Sequence, residues 1–105
     1  METETQFTFA DFVQAVQDEV GKTNEPIRDC ATRLASALSD EQVVSLCYEV
    51  SGCSGMRRSS IGDEAYSLEH GTLPSGCKSK DELRKTINMR IANAVVLDAT
   101  GMLNF

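Results

Sequence analysis

Residues 25–51 read EPIRDCATRLASALSDEQVVSLCYEVS, and this stretch decides the fold class. Apolar side chains recur every three or four residues in each half, which is the spacing of one face of an α-helix. Between the halves, Ser39 and Gln42 form a capping box, in which each side chain bonds a backbone N–H group at a helix start. The stretch therefore predicts two helices, approximately 25–38 and 40–51, joined by a sharp turn.

The same signals predict one further helix on each side of this stretch. Toward the N-terminus, Thr8 and Asp11 form a second capping box, and the apolar residues after them predict a helix over 8–20. Toward the C-terminus, Ser79 starts a third box, and the longest apolar stripe predicts a helix over 80–99. We therefore expect an all-α domain, a small bundle of about four main helices.

The remaining segments are polar. Residues 1–7 predict a polar N-terminal tail, which leaves 8–105 as a single helical domain. Gly21 is expected to end the first helix in the left-handed conformation. Residues 52–78 are rich in Gly and Ser and predict a long connection with room for one short helix. We expect this connection to lie outside the helical core.

The composition limits the function classes. The chain has 105 residues, of which 41% are hydrophobic and 25% charged, as is typical of one globular domain. No apolar run reaches the roughly 18 residues of a membrane span, and the N-terminus carries acids where an export signal carries bases. We therefore expect a cytoplasmic protein without a membrane segment. The net charge of −6 disfavours binding to nucleic acid, and the helix predicted over 40–51 lacks the Lys and Arg of a DNA-recognition helix.

Four cysteines and one histidine raise the question of a metal ion or a disulfide. Cys47, Cys53, His70 and Cys77 form a Cys₃His set, but the short cysteine spacings of zinc sites are missing. We therefore expect no metal and no cofactor, and keep this set as the alternative. A disulfide between Cys53 and Cys77 would close the connection, whereas a reducing compartment would keep both thiols free.

Residues 52–60, GCSGMRRSS, gather groups that bind anions. The guanidinium groups of Arg57 and Arg58 and the hydroxyl groups of Ser59 and Ser60 are typical ligands of phosphate and carboxylate. One hypothesis is therefore a site for a small anionic, nucleotide-like ligand. Because no phosphate-binding loop motif is present, the other interpretation is a simple polar turn.

A catalytic set would have to use His70, the only histidine. A thiol-based enzyme would combine it with Cys53 or Cys77 as the nucleophile. However, Gly71 directly follows His70, and this order predicts a helix end that accounts for both residues without chemistry. We therefore expect a protein that is not an enzyme, and retain the thiol-based enzyme as a further hypothesis.

Aromatic and terminal apolar residues outside the predicted core are candidates for contact with a partner. They are Tyr48, Tyr66, Leu103 and Phe105. Together with a first half rich in acids, they predict a non-enzymatic protein–protein interaction or regulatory module, whose partner is another protein. The apolar C-terminus also predicts a homo-oligomer, because self-association would cover it.

Overall fold

The computed structural model of the chain describes residues 7–51 and 58–101, the side chains of 58–60 excepted. This part contains five helices and no strand: α1 (Phe9–Thr23), α2 (Ile27–Ser36), α3 (Asp40–Ser51), α4 (Arg58–His70) and α5 (Lys80–Ala99). The all-α prediction is confirmed, and the predicted number of four main helices is corrected to five in the described part. None of these helices combines the length and the apolar character that crossing a membrane requires.

The start of α1 forms as its capping box predicts. The Thr8 hydroxyl oxygen accepts the Asp11 N–H at 3.2 Å, and the Asp11 carboxylate accepts the Thr8 N–H at 3.0 Å. The rings of Phe7 and Phe12 meet edge to face at 6.3 Å, which closes a hydrophobic staple over this turn. Local sequence alone therefore fixes where α1 begins.

The end of α1 differs from the prediction. Gly21 lies inside the helix, which continues to Thr23, and Asn24 takes the left-handed conformation at φ 58°. The Asn24 N–H bonds to the Val20 carbonyl at 2.8 Å. Glycine disfavours a helix interior by only about 1 kcal/mol relative to alanine, so one glycine does not end a helix. Asparagine is the other residue that adopts the left-handed region readily, and it ends this one.

Helix α4 corrects the expectation that residues 52–78 lie outside the core. Ile61, Ala65 and Leu68 are buried at helical spacing and pack α4 against α3 and α5. Burial of these three side chains stabilises a helix that the sequence marks only weakly, since serine and glycine separate them. The connection between α4 and α5 is consequently confined to residues 71–79.

A bidentate ion pair fastens α4 to α5. The Arg90 Nε donates to Glu64 Oε1 at 2.7 Å, and its Nη2 donates to Oε2 at 2.9 Å. The Glu64 side chain is 13% exposed, so solvent screens this pair less than a surface pair. At its far end α4 stops as predicted: Gly71 has φ 73°, and the Thr72 N–H bonds back to the Ser67 carbonyl at 2.9 Å.

Helix α5 is central to the fold and packs against α2, α3 and α4. The predicted stripe is confirmed, because all five of its members are buried: Leu83, Ile87, Ile91, Ala94 and Val95. At its start the Ser79 hydroxyl oxygen accepts the Glu82 N–H at 3.1 Å. The Glu82 carboxylate accepts from the Lys78 N–H, so the box lacks the predicted reciprocal bond to Ser79.

The guanidinium group of Arg84 joins three helices. Its Nη2 donates to the carbonyl oxygens of Ala35 at 2.8 Å and Leu38 at 2.7 Å, just at and beyond the end of α2. Its Nη1 donates to the Asp40 carboxylate at 2.7 Å, at the start of α3, and its Nε donates to the Asn88 side chain at 3.1 Å. The Arg84 side chain is only 17% exposed. It therefore fixes the turn between α2 and α3 against α5.

Asp40 also accepts a second cation. The Lys80 ammonium lies 2.8 Å from Asp40 Oδ2. The bond from Lys80 is the largest influence that holds the pKa of Asp40 below its ordinary value of 3.8, and Arg84 lowers it further. The charged form of Asp40 is therefore the form that the fold stabilises.

Removing the Arg84 guanidinium should destabilise the domain. In an Arg84→Met variant we expect the free energy of unfolding to fall by about 2–4 kcal/mol, because two carbonyls and one carboxylate each lose the hydrogen bond from Arg84. Urea denaturation followed by circular dichroism measures this loss. Lys85→Met is the matched control on the exposed side of α5. Equal stabilities of the two variants would refute the role given to Arg84.

The Asp40 carboxylate should make stability depend on acid pH. Its pKa is lower in the folded than in the unfolded chain, so it stabilises the fold above the unfolded value and loses this contribution as pH falls through the folded value. The difference in unfolding free energy between wild type and Asp40→Asn should therefore shrink as pH drops below about 4. Denaturation from pH 7 to pH 2 tests it, with the exposed Asp29→Asn as control. A difference that stays constant down to pH 2 would contradict the prediction.

Candidate functional site

A groove runs along the exposed side of α3. Its first part has a volume of about 510 Å³ and lies between α3 and α4. The lining residues of this part are Asp40, Glu41, Val44, Ser45, Tyr48, Leu68 and Glu69. The second part has a volume of about 400 Å³, shares Ser45 and Tyr48 with the first, and reaches the start of α1 through Phe7, Thr8 and Glu49. The two parts together are called the α3 groove.

The periodicity of α3 explains why one helix serves both the core and the groove. The α3 residues on the groove side recur at helical spacing: they are Glu41, Val44, Ser45, Tyr48 and Glu49. The opposite stripe is buried in the core and consists of Val43, Leu46, Cys47 and Val50. Because the two stripes lie on opposite sides, core packing of one presents the other to solvent.

The start of α1 is held beside the groove by Glu49. The Glu49 carboxylate accepts the Phe9 N–H at 2.8 Å. This N–H belongs to the first turn of α1, where backbone donors have no partner within the helix and an acid is favourable. The contact therefore fixes the wall that Phe7 and Thr8 contribute to the second part of the groove.

Two tyrosines on α3 and α4 are exposed, and each contacts a neighbouring side chain. Tyr48 is 42% exposed and Tyr66 is 57% exposed. The Tyr48 hydroxyl donates to Glu69 Oε1 at 2.9 Å. The Tyr66 ring stacks on the His70 ring with centroids 4.0 Å apart. Partial burial, followed by the bond to Glu69, raises the pKa of Tyr48, so its hydroxyl stays protonated and keeps donating.

The environment of His70 identifies its donor nitrogen. Nδ1 lies 2.9 Å from the Tyr66 carbonyl oxygen. A carbonyl only accepts, so Nδ1 carries the proton, and in the neutral ring Nε2 is the acceptor. The distance of 4.0 Å from Nδ1 to Glu69 Oε1 is too long for a hydrogen bond. His70 therefore acts here as a support for the Tyr66 ring.

The groove is acidic. Its described lining contains four carboxylates and neither Lys nor Arg: Asp40, Glu41, Glu49 and Glu69. Asp40 is paired from outside the groove with Lys80 and Arg84. Glu41 and Glu69 have no Lys or Arg partner among the described residues. Among the described residues, the groove therefore carries two carboxylates, Glu41 and Glu69, that form no ion pair with Lys or Arg.

The described cysteines differ in accessibility. Cys30 and Cys47 are buried, and burial raises the pKa of both thiols, that of Cys47 to about 12. Cys77 is partly buried, and none of the described hydrogen bonds joins it to His70. Cys53 lies outside the described residues. Its roles as a nucleophile and as the disulfide partner of Cys77 accordingly stay predictions.

The described residues do not form the alternative Cys₃His metal site. Within residues 7–51 and 58–101, no group of three or more His, Cys, Asp or Glu side chains is arranged to hold a metal ion. Cys47 is fully buried in the core, whereas His70 is exposed. Because Cys53 is not described, the complete set of Cys47, Cys53, His70 and Cys77 stays a prediction.

The structure brings two of the predicted partner-binding residues together. Tyr48 and Tyr66 lie on the neighbouring helices α3 and α4. Leu103 and Phe105 lie outside the described residues. The same holds for Arg57 and for the side chains of Arg58, Ser59 and Ser60, so the anionic-ligand hypothesis stays a prediction.

The acids of the groove are not among the site residues that the sequence predicts. The positions of Glu41 and Glu49 on the side of α3 opposite its apolar stripe are a signal that marks them. Glu69 has no such signal, because its contact with Tyr48 depends on how α4 packs against α3.

Comparison with known proteins found no likeness. No family model, no curated protein and no solved structure matches the chain. What the α3 groove can bind therefore has to follow from the chemistry of its own residues.

The thiols should react in an order set by burial. In a Cys53→Ser variant, an alkylating reagent at pH 8 should modify Cys77 in the folded protein and reach Cys30 and Cys47 only after unfolding. Peptide mapping by mass spectrometry identifies the modified residue, and protein unfolded in urea is the control in which all three react. Equal labelling rates of Cys47 and Cys77 in the folded protein would contradict the burial described above.

Proposed function

We propose that the protein is a non-enzymatic protein–protein interaction module whose docking surface is the α3 groove. The observation that carries the proposal is a pair of exposed tyrosine rings on the two helices that form the groove: Tyr48 lines the groove and bonds to Glu69, and Tyr66, outside the lining, stacks on His70. Tyrosine is enriched at protein interfaces, because it combines a large contact area with one polar group.

The fixed orientation of both rings supports this role. Ordering a mobile side chain on binding costs about 0.5–1.5 kcal/mol. Glu69 holds the hydroxyl of Tyr48, and His70 stacks against Tyr66, so much of this ordering is complete before a partner arrives. A partner that covers the rings therefore gains their contact area at a reduced entropic cost.

The shape and polarity of the groove also support a polypeptide as the occupant. The groove follows α3 from its first turn to its last and continues to the start of α1. Val44 and Leu68 form an apolar floor, with carboxylates at the rim. An apolar centre with a polar rim is the general organisation of protein interfaces, and an elongated groove is the shape that receives a peptide segment.

The two buried thiols and the histidine support the non-enzymatic part of the proposal, which leaves Cys53 and Cys77 as the thiols of the alternative. Cys30 and Cys47 are protonated at neutral pH, because burial raises the pKa of each, and a protonated thiol is a poor nucleophile. His70 uses Nδ1 to bind a backbone carbonyl.

We extend the proposal to a cytoplasmic location and to self-association as a further form of interaction, both of which are predictions from the sequence.

A photo-crosslinking experiment tests the docking surface. The full chain carries p-benzoylphenylalanine in place of Tyr48, Tyr66 or Met89 and is irradiated in its native host. Met89 is the control, since it is 60% exposed but lies on α5, whereas Tyr48 and Tyr66 lie on α3 and α4, the helices that form the first part of the groove. We expect the first two positions to form a discrete adduct with another protein and position 89 to form none, because crosslinking requires contact.

The outcome is read by mass spectrometry of the adducts. The same partner at positions 48 and 66 supports one docking surface that spans α3 and α4. Identical adduct patterns at all three positions, or no adduct at positions 48 and 66, would refute the proposal.

A further inference from the structure

The charge of the α3 groove restricts the chemistry of its partner. Glu41 and Glu69 have neither Lys nor Arg as a partner in the described part of the chain, and both line the first part of the groove. Placing another carboxylate or a phosphate beside them would cost free energy through repulsion of like charges. A cationic side chain placed there forms an ion pair that no described Lys or Arg makes with Glu41 or Glu69.

The rings of the groove favour the same kind of partner. The faces of tyrosine rings attract ammonium and guanidinium groups. Tyr48 and Tyr66 are both substantially exposed, and the Tyr48 ring is fixed beside a carboxylate by its bond to Glu69. A lysine or arginine that reaches Tyr48 therefore meets a ring face and a negative charge at one place.

The spacing of these groups suits a short segment of polypeptide. Glu41 and Tyr48 are seven residues apart on α3, which corresponds to about 10 Å along the helix axis. An extended chain advances about 3.3 Å per residue, so three or four residues cover this distance. Two basic side chains of one segment can accordingly contact Glu41 and the Tyr48–Glu69 pair together.

We infer that the α3 groove binds a segment of a partner protein that is rich in lysine and arginine. The inference rests on the proposed function, because it names the partner chemistry of the same groove. Glu41 and Glu69 supply the charge, Tyr48 supplies a ring within the groove, and the apolar floor carries the stems of the basic side chains. Tyr66 supplies a second exposed ring on α4, outside the groove lining.

Fluorescence anisotropy with a defined probe tests the inference. The probe is a short fluorescein-labelled peptide of alternating lysine and alanine, titrated with the full chain. The reference probe has glutamate in place of lysine. We expect saturable binding of the lysine peptide and none of the glutamate peptide, with affinity falling as salt rises because the interaction is electrostatic.

Two groove variants and one matched control decide where the peptide binds. Glu41→Lys and Asp29→Lys change the net charge equally, and both replace an exposed acid in the first turn of a helix. We expect Glu41→Lys to weaken binding at least about fivefold and Asp29→Lys to change it less than about twofold. Glu69→Gln removes the charge but keeps an acceptor for the Tyr48 hydroxyl, and we expect it to weaken binding as well. Circular dichroism checks folding, and if either lysine variant fails to fold, Glu41→Gln and Asp29→Asn replace the pair.

The outcomes separate this inference from the proposed function. Equal loss of affinity in Glu41→Lys and Asp29→Lys would overturn the inference, because attraction to the overall charge would explain it. Displacement of the peptide by spermine at the same molar charge would also overturn it, since the groove would then bind any polycation. If the lysine peptide does not bind while positions 48 and 66 still form a shared adduct, the inference is wrong and the docking surface stands. Failure of both experiments refutes both.

Discussion

The arrangement of the helices depends on one guanidinium group. Arg84, on the central helix, donates to the carbonyl oxygens of Ala35 and Leu38 and to the carboxylate of Asp40. Carbonyls at a helix end lack partners within the helix, and an acid is favourable at a helix start, so the group satisfies two needs at once. The turn from α2 to α3 is thereby fixed against α5. The direction of α3, and with it the course of the α3 groove, follows from this contact.

The parts of the fold that the sequence predicts are those determined locally. A capping box needs only residues three apart, so the starts of α1 and α3 follow from Thr8 and Ser39 without any tertiary information. Helix α4 lacks such a signal, because its apolar face is short and interrupted by serine and glycine. Its stability comes from burial of Ile61 against α3 and α5, which is a non-local contribution that no window of the sequence contains.

In the candidate site, too, some features follow from local sequence and others only from the packing of the helices. Exposure of Tyr48 is predictable, because Tyr48 falls outside the apolar stripe of α3. The contact that gives Tyr48 its orientation joins it to Glu69, on a helix that the sequence places in a connection. Periodicity thus identifies Tyr48 on α3, and only the packing of α4 against α3 shows that Glu69 lies on the same surface. Of the four acids in the described lining of the groove, Asp40, Glu41 and Glu49 lie on α3 itself, and that packing adds Glu69.

The bidentate pair between Arg90 and Glu64 has a thermodynamic consequence. It secures α4, which supplies one wall of the groove, while α3 supplies the other from a distant part of the chain. The unfolded polypeptide therefore has no such cleft, and a molecule lodged there binds only the native state. By mass action, any occupant must raise the melting temperature of the whole domain, so occupancy and folding are linked equilibria.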